Sequence, residues 1–134
     1  AVLPYLEIEG DQNYDVNLNV YIQPDNGEEN LVSQSNFKYM YWSAQQMVAH
    51  HTVNGCNLKV GDMMASGTIS GPEPNQFGSM LELAWAGKNP VKLSDGSERK
   101  FINDNDTVIM RGYAEKDGQR VGFGEVSCRI LPAS

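Results

Sequence analysis

Cysteine is scarce: two residues, Cys56 and Cys128, in a chain of 134. That is too few for a disulfide framework, and no C-x-x-C spacing marks a redox or zinc site. The expectation is two reduced, partly buried thiols in a cytoplasmic protein, with a single disulfide between them left open. Histidine is as rare, with only His50 and His51. Positive charge is in the minority: 10 Lys and Arg against 17 Asp and Glu give a net charge of −7. Phosphates would be repelled, so nucleic-acid binding is not expected. No apolar run approaches the roughly 20 residues of a membrane helix, and residues 1–9 do not read as a secretory leader. G-x-S-x-G, H-E-x-x-H and P-loop patterns are missing, which removes the commonest signatures of hydrolases and nucleotide binding.

What is present fits one globular unit over residues 1–134, with 40% hydrophobic and 20% charged residues. Folding at this size buries roughly two-thirds of the unfolded surface. The chain opens Ala1-Val2-Leu3 with no initiator Met, and the expectation is a piece of something longer.

Along the chain, Leu6 and Ile8 alternate with Glu7 and Glu9, a short strand signal. Val16, Leu18, Val20 and Ile22 alternate with Asn17, Asn19 and Tyr21, the clearest strand in the chain. Pro24-Asp25-Asn26-Gly27 ends it with turn chemistry. From Ser33 to Val53 the apolar spacing turns helical through Phe37, Met40, Tyr41, Ala44, Met47, Val48 and His51, with Ser35 or Asn36 as N-cap and Asn54-Gly55 as the stop. Ser79–Trp85 reads as a strand, and Val91–Leu93 is a short apolar run between turns. Thr107–Tyr113 and Arg120–Ile130 flank Lys116-Asp117-Gly118, a hairpin signal. The apolar phase of the last strand flips at Gly124-Glu125, which predicts a β-bulge. The expected fold is mostly antiparallel β-structure with one helix packed on it.

Three places invite a chemical reading. His50 and His51 are neighbours on the helix and point about 100° apart, so they cannot readily grip one metal; His51 belongs to the packed stripe and His50 suits the negative helix end. Ala65-Ser66-Gly67-Thr68-Ile69-Ser70-Gly71-Pro72-Glu73 places hydroxyls between two glycines, so a ligand can approach backbone N–H groups and a Thr hydroxyl; a bare strand-to-loop bend would look the same. Glu82 shares the Met80 and Ala84 face of its expected strand, either as a partly buried, pKa-shifted carboxylate or as an ordinary residue on a wet face.

Longer motifs bear on the choice. The runs 35–42 (SNFKYMYW) and 50–58 (HHTVNGCNL), the Gln45-Gln46 pair, Gly61-Asp62, 65–74 (ASGTISGPEP), 77–83 (FGSMLEL), Gly122-Phe123-Gly124 and Leu131-Pro132-Ala133 resemble the C-terminal part of the fumarylacetoacetase family. The likeness covers nearly the whole chain. The resemblance implies a β-rich roll, a homodimer and a divalent cation, Mg²⁺ or Ca²⁺. It implies hydrolysis of 4-fumarylacetoacetate to fumarate and acetoacetate in tyrosine and phenylalanine catabolism. In that family a His general base activates water, which attacks the fumaryl carbonyl, and acetoacetate leaves as an enolate or carbanion. Thr68 matches the family's substrate-binding Thr, and Glu82 the catalytic carboxylate that orients the His. The family's His and metal ligands lie upstream of this segment, so the chain alone is expected to be inactive. Another acylpyruvate hydrolase, or a stand-alone binding or dimerisation module, are the competing readings.

Overall fold

A computed structural model describes residues 2–10 and 13–133. Its centre is a four-stranded antiparallel sheet in the order β2-β1-β5-β6, built from β1 (Asn17–Gln23), β2 (Asn30–Asn36), β5 (Thr107–Lys116) and β6 (Gln119–Arg129). A helix, α1 (Ala44–Thr52), and a single turn of helix, α2 (Met80–Leu83), lie in the long crossover between β2 and β5, followed by a two-stranded ribbon of β3 (Val91–Lys92) and β4 (Glu98–Arg99). The mostly antiparallel β-fold with one main helix is as expected.

The turn chemistry works as read. Asp117 and Gly118 take φ values of 51° and 76°, the two left-handed positions of a two-residue hairpin turn. Arg111 sits opposite Glu125 and Tyr113 opposite Gly122, so Phe123 and Gly124 together face Gly112. That is the bulge, with Gly124 at φ 80° where a side chain would be strained.

Other expectations are corrected. Leu6–Ile8 forms no strand; Pro4 opens a 3₁₀ turn over Pro4–Leu6 instead, as its fixed φ favours. Ser35 and Asn36 do not start the helix. They end β2, and Asn36 caps a 3₁₀ turn over Phe37–Tyr39 by accepting from the Lys38 N–H at 2.9 Å. The helix starts at Ser43, whose hydroxyl accepts from Gln46 N while Gln46 Oε1 accepts from Ser43 N, a reciprocal capping box. Its most buried side chain is Gln46, which donates to Leu6 O at 2.8 Å. His51 is exposed, not part of a packed stripe; His50 is the one engaged, stacked on Tyr5 and 3.1 Å from its hydroxyl. Both cysteines are free and exposed rather than partly buried.

The core is thin. Leu6, Ile22, Ala84, Leu93 and Ile109 are the buried apolar side chains. One sheet face stays open: Val20 lies opposite Met110, and Met110 opposite Val126. Met110, Val121, Phe123 and Val126 are between 51% and 66% exposed. A folded monomer of 14.8 kDa exposes about 7,000 Å²; this chain exposes 9588 Å².

One buried ion pair anchors the approach to β5. Arg99 grips Asp106 with Nε at 2.7 Å and a terminal guanidinium nitrogen at 2.9 Å, and the Asn103 N–H adds a third bond at 2.9 Å. Asp106 is 1% exposed. Burial pushes its carboxyl up, but the Arg99 hydrogen bonds, the Asn103 N–H and the Arg99 charge outweigh it and hold the group below its ordinary value. A depressed carboxyl contributes stability above its unfolded-state pKa and loses it as pH falls through the folded value. Arg99→Met should cost about 3–5 kcal/mol near neutral pH, because it strands a buried charge. With Arg99 gone, burial, the largest influence on the group, is opposed by the Asn103 N–H without the guanidinium and raises the Asp106 pKa, so the deficit should narrow towards about pH 4. Urea unfolding at the two pH values checks this; a loss below about 1 kcal/mol, typical of a surface pair, would reject it.

Candidate functional site

After Gly61 the chain runs without regular structure, and its residues Gly67, Thr68 and Ile69 lie beside the sheet. Gly67 holds φ 81°, and Thr68 follows it on an exposed stretch. Thr68 lines a cavity of about 530 Å³ with Val20, Ser33, Ser35, Met110 and Phe123. The Ser35 hydroxyl is buried there without a hydrogen-bond partner among the described residues.

Close backbone packing fixes what comes next. A Cβ on Gly78 would meet the Ile69 backbone at 2.7–2.9 Å, so the chain passes itself where only glycine fits. The Ser33 hydroxyl on β2 donates to Phe77 O at 2.8 Å, and Gly71 N donates to Gln76 O at 2.9 Å. The loop 71–76 is thereby closed on itself and pinned to the sheet.

Glu82 does not lie on a strand, and it is exposed rather than partly buried. The Ser79 hydroxyl accepts from the Glu82 N–H at 3.3 Å and caps α2. Leu83 N then bonds Ser79 O, and Ala84 N bonds Met80 O. Trp85, Ala86 and Gly87 end the turn in the left-handed region at φ 47°, 53° and 81°. For Trp and Ala that backbone costs about 1–3 kcal/mol each, and such strain gathers at functional turns. The Glu82 carboxylate accepts from Ser70 Oγ at 2.8 Å and from Ser79 Oγ at 3.0 Å, both on Oε2. It borders a shallow cavity of about 340 Å³ with Phe77, Leu81, Trp85 and Lys88.

Thr68 and Glu82 therefore line separate cavities, joined through Ile69 and Ser70. The sequence reading missed the serines that organise them. One signal was available: Ser79-Met80-Leu81-Glu82 has the S-x-x-E spacing of a helix start. Nothing in the sequence marks Ser33, and Ser70 shows only as a hydroxyl between Gly67 and Gly71, with no sign of its tie to Glu82.

Residues 2–130 match the family model described as fumarylacetoacetate (FAA) hydrolase C-terminal. The chain belongs to the fumarylacetoacetate hydrolase family. It is similar to the fumarylacetoacetase of Homo sapiens, 51% identical over 132 residues, and to that of Bos taurus, 50% identical over 132 residues. Each match covers 98% of this chain and 32% of the relative. The Caenorhabditis elegans fumarylacetoacetase is 49% identical over 131 residues, 96% of this chain and 31% of that protein. The chain thus spans about a third of the length of the curated relatives it matches. No three His, Cys, Asp or Glu side chains cluster among the described residues. Among the described residues no helix is long and apolar enough to cross a membrane.

Proposed function

We propose that this chain is the substrate-side and carboxylate-bearing part of an enzyme that hydrolyses 4-fumarylacetoacetate to fumarate and acetoacetate. The observation that carries it is Glu82, a carboxylate with one oxygen held by two hydroxyls and the other free of protein partners among the described residues. A carboxylate so fixed can accept the N–H of an imidazole, set its tautomer and stabilise the imidazolium. The His, and the ligands of any Mg²⁺ or Ca²⁺, would come from the protein beyond these residues. The open apolar face, with its surplus of exposed area, is a surface on which that remainder can pack. Thr68, beside the cavity over the sheet, offers a hydroxyl to position substrate.

The complete protein, assayed with 4-fumarylacetoacetate, should release fumarate and acetoacetate. Thr68→Val should raise KM more than it lowers kcat, because it removes positioning without touching the base. Turnover of other acylpyruvates with none of 4-fumarylacetoacetate would place the enzyme in a different branch and reject this reading.

A further inference from the structure

Ser70 joins the two halves of the candidate site. Its hydroxyl accepts from the Gly78 N–H at 3.0 Å and donates to Glu82 Oε2 at 2.8 Å. A hydroxyl has one proton, so accepting the backbone N–H leaves that proton for the carboxylate. Ser79 reaches the same oxygen, but it belongs to Glu82's own turn and also caps it. Ser70 comes from a different stretch of chain and directly continues Thr68 and Ile69. Its place is not adjustable, because the Ile69 backbone is already pressed against Gly78.

We propose that Ser70 is the positioning residue for Glu82. It fixes the rotation of the carboxylate so that Oε1 is the oxygen offered outward, and it ties that orientation to the segment carrying Thr68. The proposal rests on the reading of Glu82 as the carboxylate that supports the base. A serine here acts through Glu82 and need not touch substrate.

The test is a double-mutant cycle in the complete enzyme. Ser70→Ala should lower kcat about 10- to 100-fold, the usual effect of removing a hydrogen-bonding partner that orients a functional group, with KM nearly unchanged. Ser70→Thr keeps the hydroxyl and should recover most of the rate. In a Glu82→Gln background Ser70→Ala should cost little more, because the carboxylate it orients is already gone. Equal losses in both backgrounds would show that Ser70 acts independently and would overturn the proposal. So would wild-type kcat in Ser70→Ala beside an impaired Glu82→Gln, or a Ser70→Ala protein that fails to fold. Wild-type kcat in Glu82→Gln alone is a different result: it removes the Glu82 reading, and the Ser70 proposal with it.

Discussion

Glu82→Gln in the complete enzyme is expected to lower kcat by about 10²–10⁴, the range associated with a positioned general base, while melting temperature stays near wild type. Glutamine keeps the shape of the side chain and can still accept from the Ser70 and Ser79 hydroxyls that hold Oε2. It cannot supply the negative charge that favours a protonated imidazole. Glu82 is exposed in this chain, so the exchange buries no new polar group here and should be tolerated by the fold. The pH–rate profile gives the sign. A neighbouring carboxylate raises an imidazole pKa; its loss should move the limb set by the base to lower pH. A Glu82→Gln enzyme with wild-type kcat and an unmoved limb would leave Glu82 with no role beyond its own turn.

The 134-residue chain by itself should show no hydrolysis of 4-fumarylacetoacetate. Its only histidines sit together at the end of α1, not on the segments that carry Thr68 and Glu82. His50 is already paired with Tyr5. Among the described residues no three His, Cys, Asp or Glu side chains lie together. Purified chain, assayed after removal of any co-purifying full-length enzyme, should be indistinguishable from buffer. The same preparation should bind an apolar-surface dye through Met110, Val121, Phe123 and Val126, which stand open on one sheet face. Measurable turnover would mean that a base lies among these residues unrecognised.

The strands legible in the sequence are those with apolar alternation or a clear turn between them. β1 showed strict alternation, and the β5–β6 hairpin announced itself through Lys116-Asp117-Gly118 and a phase flip that the bulge explains. β2 escaped because the side chains it buries are Ser33, Ser35 and Asn36. Ser33 is tied to the loop at Phe77 and Asn36 caps the following turn, while the Ser35 hydroxyl is buried without a partner among the described residues, so no apolar pattern marks the strand. Both helix starts were written in local chemistry, at Ser43-x-x-Gln46 and Ser79-x-x-Glu82. Apolar spacing drowned the first and imitated a strand at the second. Thr68 and Glu82 were singled out as candidates by residue type but received roles only through family resemblance. Ser70 was visible only as one of the hydroxyls between Gly67 and Gly71, because its importance comes from meeting Glu82 across a loop that closes only in three dimensions.

The open edge of β6 gives the chain a particular colloidal behaviour. Over Gln119–Arg129 the strand is exposed along its whole length, and among the described residues it pairs only with β5. Unpaired N–H and C=O groups on such an edge are a template for another strand. Opposing this, the net charge of −7 keeps copies apart over a distance set by the salt. That distance is about 10 Å at 0.1 M and about 3 Å at 1 M. Dilute buffer therefore favours dispersed molecules, and concentrated salt both removes the repulsion and, with sulfate or phosphate, strengthens apolar association. Salting-out steps that concentrate most proteins would drive this one towards edge-to-edge assembly.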